Sequence, residues 1–203
     1  MSQIKIPLEY IKIASMIEPN SSVLDLGCGR GELLSYLIAE KSINGQGVEI
    51  DEDAIYACVE KGLTVFHSDI EGGLDAYPDE SFDYIIMHNT MQEVRNIHLI
   101  IEECFRAGKK LIITFPNFVH IKARLSIFFG RMPITKNLPY QWFNTPNVKF
   151  LSINDFKSFC AQKNYEIFKD FYFNKKREVH SLSNLRAESA VFMIGKQVLP
   201  LRD

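Results

Sequence analysis

The sequence predicts an α/β protein: a mostly parallel sheet of seven strands, covered by helices on both faces and completed by a C-terminal antiparallel hairpin. Strand-like and helix-like segments alternate over residues 22–115, the rhythm of strands joined by helical crossovers. The strands are continuous apolar runs rather than apolar–polar alternations, as expected of strands buried on both faces. With 203 residues, 46% of them hydrophobic and 24% charged, the chain has the make-up of one globular domain, residues 1–203. A domain of that size buries enough surface to need no disulfide or metal staple.

Ser22–Gly27 reads as a short buried strand, and Gly31–Lys41 as its helix, with Leu33, Leu34, Leu37 and Ile38 at helical spacing. Gly45–Ile50 is a second strand. Asp51–Lys61 is a second helix, with acids in the first turn, where the macrodipole favours them, and Gly62 placed to stop it. Leu63–His67 and Phe82–His88 are the third and fourth strands, and Met91–Ala107 is the helix behind the fourth. Lys110–Phe115 is the fifth strand, ended by Pro116. Each crossover is expected to be right-handed.

Residues 117–150 form an insertion. Phe118–Phe129 reads as an amphipathic helix carrying Phe118, Ile121, Leu125 and Phe128 on one stripe, with Lys122 and Arg124 off it. That stripe suits core packing or a docking face. Residues 130–150 hold Pro133, Pro139 and Pro146, together with Tyr140, the single tryptophan Trp142, and Phe143. Irregular connections this long are typically lids or binding loops. Ser152–Lys163 returns to helix, with Ser152 and Asp155 in a capping-box relation. Tyr165–Phe173 and Ala187–Lys196 are long β-type runs joined by a polar loop containing Lys175, Lys176 and Arg177. No helix fits between them, so they are expected to pair antiparallel at the sheet's edge.

Several function classes drop out. Cys28, Cys58, Cys104 and Cys160 are too widely spaced for a zinc site or a disulfide framework. His67, His98, His120 and His180 show no ligand spacing, so no metal is expected. Unpaired thiols fit a reducing, cytoplasmic setting. No apolar run approaches the ~18 residues of a membrane span, and Met1–Lys12 lacks a signal peptide's apolar run. The net charge of −2 hides an asymmetry: residues 1–103 carry −13 and residues 104–203 carry +11, with no acid between Glu103 and Asp155. Such a split fits an acidic partner, an anionic substrate or nucleic acid, or halves that interleave and cancel. Nucleic acid is the weakest of these at a pI near 6.2.

The most informative motif is Val23-Leu24-Asp25-Leu26-Gly27-Cys28-Gly29-Arg30-Gly31, at the turn from the first strand into its helix. Glycines there let a ligand approach the main chain closely. A dinucleotide site would place pyrophosphate on the helix N-terminus, but Asp25 and Glu32 would repel it. A cation would be welcomed instead, and S-adenosylmethionine carries a sulfonium and an ammonium group. Glu49, at the end of the second strand, can accept both ribose hydroxyls. Asp69 is placed to accept from the adenine amino group, or else to cap a turn. Together these resemble the nucleotide-binding motifs of class I S-adenosylmethionine-dependent methyltransferases, a Rossmann-like sandwich. The implied contacts are Asp25, Gly27, Gly29, Gly31, Glu49, Ile50, Asp69, Ile70 and His88, for S-adenosylmethionine or S-adenosylhomocysteine.

Further residues narrow the likeness. That first motif, Gly47-Val48-Glu49-Ile50-Asp51, Ser68-Asp69-Ile70, Phe82-Asp83-Tyr84, Thr90-Met91-Gln92 and Phe115-Pro116-Asn117 resemble the MetW family of methionine-biosynthesis proteins. Most specific are Gly130-Arg131-Met132-Pro133, Leu138-Pro139-Tyr140-Gln141-Trp142 and Thr145-Pro146-Asn147. The likeness runs from about Val23 to Lys196. It implies a partner, a homoserine O-acyltransferase of MetX type that such proteins bind and support, with Arg131, Tyr140 and Trp142 as contacts of the partner or substrate loop. The chain departs from the family pattern at Arg30, where Asp is usual, and at His88-Asn89, where a Ser-Gln pair is usual. Arg30 brings a positive charge near the methionine end of the cofactor, pointing to solvent or holding the carboxylate.

If the chain turns over a substrate, residues just past the fourth strand face the methyl group. His88, Asn89, Gln92 and Glu93 are then the candidates, with His88 and Glu93 as catalytic groups. The N/D-P-P-Y pattern of methyltransferases acting on nucleic-acid amino groups is absent. Asp83, at the start of its strand, reads as a local hydrogen-bonding group. Two functions remain: an accessory protein of methionine biosynthesis that binds S-adenosylmethionine, and a methyltransferase acting on a small anionic metabolite.

Overall fold

The computed structural model describes residues 6–175 and 177–197. Residues 1–5 of the N-terminal stretch read above for a signal peptide, and Lys176 of the polar loop, lie outside the described residues. In chain order the elements are α1 (Leu8–Ala14), β1 (Ser22–Leu26), α2 (Glu32–Lys41), β2 (Asn44–Glu49), α3 (Glu52–Glu60), β3 (Thr64–His67) and β4 (Phe82–His88). There follow α4 (Ile97–Ala107), β5 (Gly108–Pro116), α5 (Ile121–Phe128), α6 (Ile153–Gln162), β6 (Tyr165–Asn174), β7 (Arg177–Glu178), α7 (Ser183–Arg186) and β8 (Ser189–Lys196).

The strands lie in one sheet, in the order β3-β2-β1-β4-β5-β8-β6-β7. The first five are mutually parallel, β8 runs antiparallel to β5, and β6 pairs antiparallel with β8. There are eight strands rather than seven. Lys175, in the left-handed region at φ 56°, turns the chain so that Arg177 and Glu178 pair back onto Asn174 and Phe173. β8 sits inside the sheet, between β5 and β6, and the two-residue β7 forms the edge beyond β6.

Apolar runs bury both sheet faces because adjacent side chains point to opposite sides. Leu24, Leu26, Ile85, Met87, Leu111, Ile113, Phe192 and Ile194 form one face, covered by Ile100, Ile101 and Cys104 of α4 and Ile153, Phe156 and Cys160 of α6. Val23, Tyr84, Ile86, Ile112, Val191 and Met193 form the other, covered by Ile13 and Ala14 of α1 and Leu33, Leu34 and Leu37 of α2. The capping box of α6 is present in full, Ser152 Oγ accepting from the Asp155 N–H at 3.1 Å and the Asp155 carboxylate accepting from the Ser152 N–H at 2.9 Å.

Two helices differ from expectation. Met91–Ala107 is not one helix but a 3₁₀ turn at Met91–Glu93 followed, after a break, by α4. The Gln92 carbonyl accepts from the N–H groups of Val148 and Lys149, both at 2.9 Å, and is thereby drawn away from an i→i+4 bond. In α5 only Ala123 is buried, while Ile121, Leu125 and Phe128 face outward. The helix begins only at Ile121, and of the stripe read as core or docking face Phe118 is buried against Phe150 while Ile121, Leu125 and Phe128 form an open apolar surface.

Candidate functional site

Strand order reverses direction between β1 and β4, the position where open α/β sheets hold ligands at their carboxyl ends. A cleft of about 640 Å³ opens there, within the usual range of small-molecule sites. Its walls include Gly27 and Gly29 from the turn after β1, Glu49 and Ile50 from β2, Asp69 and Ile70 after β3, and His88 at the end of β4. Seven of the nine anticipated cofactor contacts therefore line one cavity. The lining is acidic: Glu49, Asp69, Glu71 and Glu93 face a single arginine, Arg95.

Gly29 holds φ +55°, and a Cβ built on it would meet nothing within 4 Å, so the main chain there is open to an approaching molecule. Gly31 does a different job. At φ +75° it caps α2, and a Cβ would stand 2.3 Å from Leu63 Cδ1 and 2.9 Å from Cys58 Sγ, so packing requires this glycine. Gly31 supports the turn without lining the cleft. Glu49 is held by three backbone donors: the N–H of Gly29 at 2.7 Å, of Ile50 at 2.8 Å and of Asp51 at 3.0 Å. Its orientation is preset, and a carboxylate's roughly four acceptor positions leave capacity for a ligand. One oxygen of Asp69 caps the following turn, accepting from the Glu71 N–H at 2.9 Å.

Asp25 lies behind the glycine turn, 1% exposed, and its Oδ1 has no hydrogen-bond partner among the described residues. Burial pushes its carboxyl up to about 7; the His88 charge opposes that rise and Glu49 reinforces it. A buried carboxylate without a partner, next to a turn open at Gly29, is the arrangement a cationic group would complete. Glu93 is also raised, by burial and by the charge of Glu49. Arg30 does not enter the cleft: its side chain is exposed, and its carbonyl accepts from Lys61 Nζ at 2.5 Å. Asp83 is the local anchor expected, taking the Ser22 N–H and hydroxyl at 3.0 Å each and Lys109 at 2.8 Å.

The sequence reading missed α1 and its two contributions. Glu9 Oε2 lies 3.8 Å from His88 Nε2, and the Tyr10 ring meets the His88 ring edge-on at 5.4 Å. Glu9 also accepts from the Ser189 hydroxyl. Burial raises the Glu9 carboxyl, but His88 and Ser189 outweigh it, and the net shift is downward. Pro7 followed by apolar residues at helical spacing, with Glu9 in the first turn, was the available signal. A second chamber of about 270 Å³, lined by Glu9, Asn89, Gln92, Glu93, Lys136 and Tyr140, adjoins the cleft through Asn89 and Glu93. His88 and Glu93 thus meet near one opening.

Pro146 and Val148 reach back to line the cleft. On the outer side of the same segment, Trp142 is 76% and Phe143 65% exposed, packed edge-on at 5.7 Å. Arg131 is exposed as well, and Tyr140 lines both the chamber and a small apolar pocket beside Met132 and Trp142. Phe128, at the end of α5, and Phe129 beyond it are exposed aromatics as well. No described helix is long and apolar enough to cross a membrane, and no group of three metal-ligating side chains occurs among the described residues.

Comparison with known proteins adds three findings. Residues 8–194 match the family described as methionine biosynthesis protein MetW. A bifunctional methionine biosynthesis protein MetXA/MetW of Rhodopirellula baltica is 32% identical over 210 residues, covering 97% of this chain and 34% of that protein. The chain thus spans about a third of the length of the curated relative it matches. Among solved structures, a SAM-dependent methyltransferase from Archaeoglobus fulgidus superposes with a TM-score of 0.70 at 18% identity, over 93% of this chain and 91% of that one. An S-adenosylmethionine-dependent methyltransferase from Mesorhizobium loti does so with a TM-score of 0.69 at 14% identity, over 93% and 97%. At these identities the two structures establish the Rossmann-like methyltransferase fold.

Proposed function

The chain belongs to the MetW family of methionine biosynthesis proteins, and from that premise we propose that it binds S-adenosylmethionine and supports a homoserine O-acyltransferase of MetX type by direct contact. The observation that carries the cofactor half is the cleft's charge. Glu49, Asp69, Glu71 and Glu93 line a cavity whose wall is open at Gly29, and the buried Asp25 has its Oδ1 without a partner among the described residues. In this reading Glu49, with three of its roughly four acceptor positions already filled by the backbone, takes one ribose hydroxyl, Asp69 the adenine edge, and Asp25 acts through the turn on the positive methionine end. Gly27, Gly29, Ile50 and Ile70 supply close backbone and apolar contact, and Gly31 keeps the turn in shape. When bound, S-adenosylmethionine would offer an electrophilic methyl group, which the residues of this chain would orient.

The partner half rests on the relative from Rhodopirellula baltica, in which MetXA and MetW are parts of one protein. Two activities fused in one relative are expected to touch when they are separate chains. Arg131, Tyr140 and Trp142, on the open aromatic surface, are the proposed contacts, since buried aromatics and arginine dominate interface energetics.

Calorimetric titration of the full chain with S-adenosylmethionine tests the cofactor half. Saturable binding that Glu49→Ala weakens by about tenfold or more supports it; heats indistinguishable from dilution overturn it. A second reading, methyl transfer to a small anionic metabolite, is favoured by one observation: Lys136 lines the chamber beside the cleft, where Glu93 and Glu9, the latter 3.8 Å from His88, are the acids. His88, on the cleft side, or Glu93, which lines both cavities, would accept the acceptor's proton. A His88→Ala chain that loses release of S-adenosylhomocysteine even when saturated with S-adenosylmethionine would select this reading.

A further inference from the structure

Charge is sorted in this molecule, and the acidic cleft has a basic counterpart. A second, larger cavity of about 1050 Å³ lies beyond the carboxyl end of β5. Five cations line it, contributed by separate segments: Lys122 from α5, Lys136 from the proline-rich stretch, Lys175 and Arg177 from the β6–β7 turn, and Arg186 from α7. Two carboxylates share the lining, and both are already engaged. Glu178 pairs with Lys12 at 2.7 Å and Glu188 with Lys122 at 3.6 Å. Lys136, Lys175, Arg177 and Arg186 make no ion pair among the described residues.

Four such cations around one concavity repel one another, in a chain whose net charge is −2. The basin is therefore a local concentration of positive charge rather than an overflow of a basic protein, and concave charged walls focus the field on an incoming anion. It is also connected to the cofactor side, since Lys136 lines both the basin and the chamber that shares Asn89 and Glu93 with the cleft.

We infer that the basin is a binding site for a small molecule bearing at least two anionic groups, phosphates or carboxylates. One charge alone would leave most of the cations unneutralised, and they line a hollow to which separate segments contribute. A hollow favours a compact ligand over an acidic stretch of a partner protein. Arg177 and Arg186 supply planar forks suited to paired oxygens, while Lys136 and Lys175 act as point charges. The inference stands apart from the cofactor reading, because no basin cation lines the acidic cleft.

Inorganic pyrophosphate and citrate, titrated calorimetrically into the full chain, test it. At least one probe is expected to bind saturably at one per chain, and more weakly as salt rises from roughly 50 to 200 mM. The double variant Lys175→Glu/Arg177→Glu should weaken it by about tenfold or more, and Arg186→Gln by about threefold, with S-adenosylmethionine titration unchanged. All these positions are exposed, so the variants are expected to fold, and their melting curves check that. Binding of pyrophosphate alone identifies a phosphate site, and of citrate alone a carboxylate site; either supports the inference. It is overturned if neither probe saturates in the millimolar range, or if the charge reversals leave binding unchanged. It is equally overturned if the reversals abolish capture of an acidic partner protein while both probes fail to bind.

Discussion

Asp25 sets up a conflict between stability and binding at a single atom. Its carboxyl is raised to about 7 by burial, against about 3.9 in an unfolded chain. Between those values the native state holds the extra proton, so folding stability falls as pH rises from about 4 to about 7 through this group. Asp83 works in the opposite direction. Lys109 and the Ser22 backbone and hydroxyl hold it at about 2, so its contribution is present above the unfolded value and is lost as pH falls towards 2. Asp25→Asn should raise the melting temperature at pH 8 relative to the parent, with little change at pH 4, while weakening S-adenosylmethionine binding at pH 8. Thermal melts and titrations at the two pH values check both. Gly31→Ala should destabilise by roughly 2–3 kcal/mol in urea unfolding, since its Cβ would overlap Leu63 and Cys58 at a positive φ. Asp25, Glu49 and the glycines were legible because their chemistry is unusual for a strand end. Glu9 and Tyr10 were not, because nothing in a seven-residue helix announces that it docks beside β4.

At the level of elements, local signals served where the backbone satisfies itself and failed where a distant segment intervenes. The capping box of α6 was readable from Ser152 and Asp155 alone, and Ser152→Ala should cost about 1 kcal/mol, measurable as a lower urea midpoint at unchanged slope. Periodicity extends the helix after β4 too far, because its Gln92 carbonyl is claimed by Val148 and Lys149, some fifty-five residues on. Periodicity cannot register that competition. The extra strand, Arg177–Glu178, escaped for a related reason: two residues carry no alternation, and only the turn at Lys175 creates it. The stripe on α5 was visible as a pattern, but a pattern does not say whether a core lies opposite. Here none does, and Phe128 is 81% exposed.

Across the whole molecule, the segment from Lys136 to Phe150 joins two surfaces. Its inner side, through Pro146 and Val148, lines the cleft, and its outer side displays Trp142 and Phe143. If S-adenosylmethionine orders the inner side, it should alter docking on the outer side, and the coupling must be reciprocal. Titration of S-adenosylmethionine with and without a bound acyltransferase of MetX type should give unequal affinities; equal values would remove any role as a reporter of methionine supply. Trp142→Ala should reduce capture of that acyltransferase by about tenfold or more while leaving cofactor affinity in the free chain unchanged. A loss of cofactor affinity instead would make the segment a lid rather than a docking face.

The sequence by itself determined the five parallel strands in chain order, the helices after the first two of them, the glycine turn with its acids, and the family. Those features are written in short-range periodicity and in residues whose chemistry has few other uses. Tertiary structure alone decided that α1 brings Glu9 to His88, that Gly31 serves packing while Gly29 faces the cleft, and that the charge asymmetry of the two halves becomes an acidic cleft beside a basic basin. Each of these depends on which distant segments meet, and contact between distant segments leaves no period in the chain.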